Sequence, residues 1–365
     1  MWYQHSRRSH VRRSAVSGQR ATLAAVAARA GVSPSTASLA FSGAGPVAES
    51  TRERVFQAAR ELGYSGPDPM ASSLRRGRSG IVGALIGERL LYAFRDPVAV
   101  GLLDGLAEEL STLGSGLLLI SGDADRTGPT PAQVARMPMD VVIFATCGGD
   151  DDPLLDHFLG RGVPVVAVDG PHRDDVVVLG IDDYGGTLTM ARYLADLGHR
   201  HVGTVTLPLR LDGRRGPIDE ARRKTAAYAD ARLRLQAVRD VFGSVAAVES
   251  ATNLIEEGEV AAASLLDAPD RPTAVIAQSD LLAVGVIRAA VGLGLRVPQD
   301  LSVVGFDGID AGWLDGWLLT TIEQPIVEKG RMAGRMVVDI LADRKPSSTQ
   351  LPVNMRVGAT TAPPP

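Results

Sequence analysis

A single cysteine, Cys147, stands in 365 residues, so no disulfide can form within the chain. No run of 18 or more apolar residues offers a membrane span, and the first twenty residues lack the apolar stretch of a secretory signal. That segment instead carries Arg7, Arg8, Arg12, Arg13 and Arg20, which reads as a disordered basic arm over 1–20. Together these absences predict a cytoplasmic protein with no membrane partner. Enzymatic signatures are missing as well: there is no P-loop and no HExxH, and the six histidines are scattered. His199 and His201 fall in a helix-to-strand turn, where solvent exposure is a better expectation than metal binding. Gly43-x-Gly45-x-x-Ala48 imitates a dinucleotide fingerprint, but no strand precedes it. No cofactor and no enzyme is therefore expected. No repeat at solenoid period is present either.

What the chain does have is length, apolar content and an uneven charge. At 45% apolar it can bury more than one core. Its net charge of −4 conceals a gradient: residues 1–80 hold twelve arginines against four carboxylates, so a head of +8 precedes a remainder of −12. A basic head on an acidic body is the distribution expected when one end meets a phosphate backbone and the rest avoids it; a merely solvated basic tail is the alternative.

Hydrophobic periodicity divides the chain at the same place. From Thr22 to Tyr64 apolar residues recur at helical spacing in three pieces, interrupted at Gly31 and around 43–46. Pro67 and Pro69 then open a hinge over 67–80. Beyond it, short aliphatic runs alternate with amphipathic stretches. Strands are predicted at 81–86, 117–120, 141–144, 163–168, 176–181, 202–206, 274–277 and 301–306. Helices are predicted at 98–113, 186–197, 225–241, 260–266 and 281–293. This alternation predicts parallel sheets flanked by helices. The residues 359–365, ending in three prolines, are expected to be disordered.

The first two helical pieces follow from local rules. Leu23, Val26, Ala27 and Ala30 share one face, Thr22 can cap it, and Gly31 stops it by accepting a left-handed backbone. Ser33 can cap the next helix, with Pro34 in its first turn where no hydrogen bond is lost. Two short helices joined by a glycine turn make a helix-turn-helix, a geometry that also occurs in proteins that never touch DNA.

The residues at this turn go further. Thr22, Val26, Ala27, Ala30, Gly31, Val32, Ser33, Thr36 and Ser38, then Val47, 50–55, Ala59, 62–64, Ala71, Leu74 and 77–79, resemble the head of the lactose-repressor (LacI/GalR) family. The resemblance implies a sequence-specific regulator, a repressor, with a head at 21–66. The helix from Pro34 would lie in the major groove with Pro34, Ser35 and Leu39 toward base edges, and Thr22, Ser33, Thr36, Ser38 and Ser42 at the DNA. The segment 69–76 would fold as a hinge helix with Leu74 as a minor-groove wedge, and Arg76 and Arg78 at phosphates. Ordinary packing in a linker is the alternative for Leu74. Three positions depart from the pattern: Ala25 replaces the usual Asp, Leu39 the usual Arg and Ser42 the usual Asn. Leu39 cannot make the bidentate guanine contact of an arginine, so the operator should differ from the usual family palindrome.

The resemblance extends over the body, most fully from Gln278 to Gly330. It implies an N-terminal all-α helix-turn-helix head plus an α/β periplasmic-binding-protein-like (type I) two-lobed sensor domain at 81–358. Lobe 1 is expected at 81–171 plus 325–349 and lobe 2 at 172–324 plus 350–358. It also implies a homodimer, with a tetramer left open, on a near-symmetric double-stranded DNA operator near the nucleoid. Asp169, Asp182 and Asp307 end predicted strands, where carboxylates suit a cleft; a helix cap or surface turn is the alternative for each. The effector ligands implied are Asp307 and Asp169, with Ser279 and Gln324 beside them, Asp96 on the other lobe, and a cation before Tyr228, either Arg223 or Lys224. Carboxylates with a cation hold hydroxyls well, so a sugar-like small molecule is the expected effector. A solute-binding protein without a transcription role is the competing reading; the basic head and the missing export signal weigh against it.

Overall fold

The computed structural model describes residues 21–43, 45–67, 77–87, 90–121, 128–145, 148–268, 270–310 and 318–365. The expected arm over 1–20, Leu74, Arg76 and Cys147 lie outside them. The chain divides into two compact units between Ser79 and Gly80.

The head is three helices: α1 (Leu23–Ala30), α2 (Pro34–Ser42) and α3 (Glu49–Leu62). Both predicted caps form. Thr22 accepts from the Ala25 amide at 3.2 Å and Ser33 from the Thr36 amide at 3.1 Å, while Gly31 ends α1 at φ 67°. Inside, Val26, Ala27, Ala30, Ala37, Ala40, Val55, Ala58 and Ala59 make a core of mostly alanine. Small side chains bring the helices close, and Phe41 closes one end edge-on to Phe56 and Tyr64.

In the body, the strands β1 (Ile81–Ile86), β2 (Gly116–Ser121), β3 (Val141–Phe144), β4 (Val165–Val168) and β5 (Val177–Ile181) precede β6 (Val202–Thr206), β7 (Gly216–Pro217) and β8 (Ala246–Glu249). There follow β9 (Ala274–Ala277), β10 (Ser302–Asp307), β11 (Thr320–Glu323), β12 (Thr349–Leu351) and β13 (Asn354–Arg356). They form two sheets. The first has six strands in the order β12-β5-β4-β3-β1-β2, all parallel, and the second seven in the order β13-β11-β10-β9-β6-β8-β7, antiparallel only at its two edges. The chain crosses between sheets after Ile181, after Glu323 and after Leu351.

These crossings move the expected lobe boundaries. The strand near 177 was assigned to lobe 2 from residue 172, yet Val177–Leu179 pair in parallel with Val166–Val168, so lobe 1 runs to Ile181. Lobe 1 also takes Leu351, which pairs with Ile181. Apolar runs of this kind fit either sheet, and only pairing decides between them.

The helices between the strands are α4 (Leu90–Ala93), α5 (Pro97–Ser111), α6 (Pro131–Val134), α7 (Pro153–Gly160), α8 (Asp183–Asp196) and α9 (Glu220–Lys224). The remainder are α10 (Ala229–Phe242), α11 (Ile255–Leu266), α12 (Asp280–Gly292) and α13 (Ile326–Leu341). The predicted helix at 225–241 is α10 and starts only at Ala229, with the short α9 before it and an irregular turn between them. One helix pair positions the site below. α5 and α13 cross at Gly105 and Gly330, where a Cβ on either glycine would run into the other helix's backbone. That close crossing locks α13 onto lobe 1.

The tail corrects the expectation of disorder over 359–365. Thr360 is fully buried; its hydroxyl donates to the Val303 carbonyl at 2.7 Å and accepts from the Thr320 amide at 3.0 Å. His199, expected at the surface, is likewise fully buried, because its ring bonds Thr273 Oγ1 at 2.8 Å and the Ala362 carbonyl at 2.9 Å. Burial pushes the imidazole below its ordinary pKa, which keeps it neutral in this role. Replacing Thr360 by Val keeps the shape and strands a buried amide and carbonyl. Thr360→Val should therefore lower the unfolding free energy by about 1–3 kcal/mol in urea melts, and an unchanged midpoint would show that the tail contributes nothing.

Candidate functional site

The head offers one continuous outward stripe. On α2, Ala37 and Ala40 are buried, while Pro34, Ser35, Leu39 and Ser42 are exposed and Ser38 half-exposed, at spacings that share a helix face. No charged side chain lies on α2. Ser33 spends its hydroxyl on the cap and also meets Ser35 Oγ at 2.7 Å and Thr36 Oγ1 at 2.8 Å, so these residues order the helix start. Leu39 is 38% exposed and lies against Gly45 of the following loop, outside the alanine core. Arg78 is exposed beyond the head.

The body holds a cavity of about 160 Å³ between its two lobes, at the C-terminal ends of strands from both sheets. Of the effector ligands expected from the sequence, Asp96, Asp169, Ser279, Asp307 and Gln324 line it. Asp169 follows β4 of lobe 1 and Asp307 ends β10 of lobe 2. Both take a left-handed backbone, φ 58° and 126°, which residues with a Cβ rarely adopt and which marks positions held by their surroundings.

Two polar chains cross the cleft. In the first, Lys329 of α13 donates to Asp169 Oδ2 at 2.5 Å and to Gln324 Oε1 at 2.6 Å, and Gln324 Nε2 donates to Asp307 Oδ1 at 2.7 Å. In the second, Asn253 donates to Asp96 Oδ2 at 3.2 Å and accepts from Ser279 Oγ at 2.5 Å. Asp96 and Ser279 are at once helix caps, of α5 and α12. For both, the cap and cleft alternatives hold together.

Arg223 and Lys224 are not in this cavity. Arg223 pairs with Glu220 one turn away on α9, and Lys224 is exposed. The neighbouring Arg222 is buried, but against Glu249 at 2.8 Å and Asp212 at 2.6 Å. The arginine that lines the cleft is Arg234 of α10, which donates to Asp183 at 2.8 Å and to the Gln278 carbonyl at 2.5 Å and lies 3.6 Å over the Phe306 ring. Asp182 serves as the cap of α8, accepting from Gly185 at 2.8 Å, and does not reach the cavity.

Sequence reading missed Arg234, Lys329 and Asn253. A signal existed for the first two. Arg234 occupies the inward stripe Ala231, Arg234, Leu235, Val238, and Lys329 the stripe Lys329, Gly330, Ala333, Val337. A cation on the buried face of a helix carries a desolvation cost that needs a reason.

Burial governs the carboxylates. It raises Asp96, raises Asp183 to about 6 against the pull of Arg234, and raises Asp307 well above the usual range. Asp280, behind Asp307, rises to about 6 although Thr321 Oγ1 and the Ile309 amide donate to it. A folded-state pKa raised above the unfolded one means stability that is complete below about pH 4 and is lost as pH rises through about 6. Asp280→Asn should remove that dependence. Its stability relative to the parent should improve by about 1–2 kcal/mol between pH 4 and pH 7.5 in urea melts, and an equal difference at both pH values would contradict the assignment.

A helix-turn-helix head joined to a two-lobed α/β body with a polar interlobe cleft defines a class of DNA-binding regulators. The family model for bacterial regulatory proteins of the lacI family matches residues 22–66, and that for the periplasmic binding protein-like domain matches 191–361. An HTH-type transcriptional regulator of Mycobacterium tuberculosis is 35% identical over 345 residues, 92% of this chain and 93% of that one. The HTH-type transcriptional regulator IpsA of Corynebacterium glutamicum is 32% identical, with 94% and 98% covered. Among solved structures, a LacI-family regulator from Corynebacterium glutamicum superposes with a TM-score of 0.70 at 26% identity, covering 94% of this chain and 100% of that one. The CelR–cellobiose complex does so with a TM-score of 0.66 at 27% identity, covering 93% and 100%. The chain belongs to the lacI family of bacterial transcriptional regulators. Among the described residues no helix is long and apolar enough to cross a membrane.

Proposed function

We propose that this regulator is a cytoplasmic repressor that binds a double-stranded operator as a homodimer, and that a small polyhydroxylated metabolite in the interlobe cleft controls its affinity. The observation that carries the reading is the pair Asp169 and Asp307. Two carboxylates from opposite lobes, Asp307 buried and Asp169 half-buried, both held in a left-handed backbone, are linked through Lys329 and Gln324 across a space between sheets. A ligand entering there exchanges its own hydrogen bonds for those chains, and so acts on both lobes at once. Among the described residues one aromatic side chain, Tyr228, lines the cleft beside the carboxylates. The CelR relative is solved with cellobiose and a LacI-family regulator of Enterococcus faecium with ribose, which supports a sugar-like ligand here.

On the DNA side, the stripe Pro34, Ser35, Ser38, Leu39 and Ser42 reads bases, with Thr22, Ser33 and Thr36 ordering the helix starts against phosphates. Leu74 is the minor-groove wedge and Arg76 and Arg78 reach the backbone. The lac repressor, similar in fold, is solved as a dimer on its operator, which supports a two-fold arrangement. Effector binding changes how the two hinge segments meet and hence whether both wedges enter together.

Two outcomes test this. Asp307→Ala should abolish the metabolite response of operator binding while leaving operator affinity itself unchanged, read by fluorescence anisotropy; a preserved response would exclude the cleft. Leu39→Arg should move the operator selected from random duplexes toward a guanine at the contacted position, by about 1–3 kcal/mol of discrimination, and an unchanged consensus would take Leu39 out of the base-reading face.

A further inference from the structure

Lys329 is one of three lysines in the chain, and it is 2% exposed at the floor of the cleft. Its helix gains nothing in packing from a charge there. The remaining inward residues of α13, Gly330, Ala333, Gly334, Met336 and Val337, are small or apolar, and an apolar side chain of the same length would fill the position without desolvating an ammonium. Its partner is equally out of place for a structural ion pair. Asp169 Oδ2 takes the ammonium, but Asp169 Oδ1 is buried with no hydrogen-bond donor among the described residues. A buried carboxylate oxygen left in that state costs free energy until a donor arrives.

We infer, resting on the effector reading above, that the Asp169–Lys329 pair is the element of the cleft that selects the effector, and that it selects a neutral hydroxyl over a phosphate. A hydroxyl is both donor and acceptor: it gives its proton to Asp169 Oδ1 and takes a hydrogen bond from the adjacent Lys329 Nζ. A phosphate ester has no proton to give at neutral pH. It would meet Asp169 Oδ1, an acceptor to which it can donate nothing, and, among the described lining residues, the two cations Arg234 and Lys329, both already engaged by carboxylates or carbonyls. An ammonium group on the ligand would satisfy Asp169 but abut the Lys329 charge. The polyol hydroxyl alone suits both members of the pair. The same contact pulls on Gln324 and Asp307 through Lys329, so the residue that reads the ligand is also the one that ties lobe 1 to lobe 2.

The test is thermal-shift and calorimetric titration of the full-length protein against neutral monosaccharides, disaccharides and linear polyols, each beside its phosphate monoester. The wild type should respond to a neutral compound at least 10-fold more tightly than to its phosphate. Lys329→Met should weaken that response at least 10-fold while leaving the far-UV spectrum in place. Because Lys329→Met strands Asp169, the charge-neutral double variant Asp169→Asn/Lys329→Met serves as the folding control; it should melt near the wild type and still bind the neutral compound at least 10-fold more weakly. Tighter binding of a phosphate ester, undiminished binding by Lys329→Met, or silence of the wild type to every neutral compound would each overturn the inference. If the response survives Lys329→Met but is lost in Asp307→Ala, the cleft reading stands and only this pair's role falls. If it survives both, the cleft reading falls with it.

Discussion

The body depends on one constraint: charges buried between two lobes have to be satisfied by groups that belong to different lobes. Asp169 sits on lobe 1, Asp307 on lobe 2, and Lys329 and Gln324 complete the line between them at 2.5 to 2.7 Å. Removing Asp169 or Lys329 alone leaves its partner without its counter-charge, at a cost of about 3–5 kcal/mol. On the proposed function, the arrangement resists accidental opening and yields to a ligand that presents matching donors and acceptors. The tight glycine crossing of α5 and α13 follows from the same need, because Lys329 can hold its position only if its helix is fixed to lobe 1.

The head solves a different problem with different means. Its core is alanine-rich, so three short helices pack closely, and the second helix turns a row of neutral residues outward. A charge-free α2 separates the two tasks of DNA binding. On the proposed function, affinity comes from cations outside that helix, within residues 1–80 that together carry +8, and selectivity from small hydroxyls and the Leu39 methyls. A protein built so should show strong salt dependence together with a base preference unlike that of a relative with arginine at the same place.

Most of the fold was legible because local rules and long-range packing agree in it. The caps Thr22 and Ser33, the glycine stop at Gly31 and the aliphatic strands β1, β3, β6 and β9 fell where periodicity placed them. The failures share a cause. The burial of His199 and the order of the tail through Thr360 are decided by partners 40 to 163 residues away, and lobe membership of β5 by its pairing with β4 and β12, none of which a local pattern reports. At the cleft, the carboxylates were found because strand ends announce them. Arg234 and Lys329 were passed over because each sits in a helix, where a charge normally faces water. Arg223 and Lys224, implied by the family resemblance through their place before Tyr228, lie instead on α9 and pair with Glu220.

On the proposed function, occupancy of the cleft and occupancy of DNA are coupled, and such coupling is reciprocal. The direct measurement is calorimetric affinity of the full-length protein for its metabolite, taken once free and once saturated with operator duplex. The two dissociation constants should differ, by the same factor by which saturating metabolite changes operator affinity. Identical constants would contradict it, since a ligand that binds both states equally shifts neither.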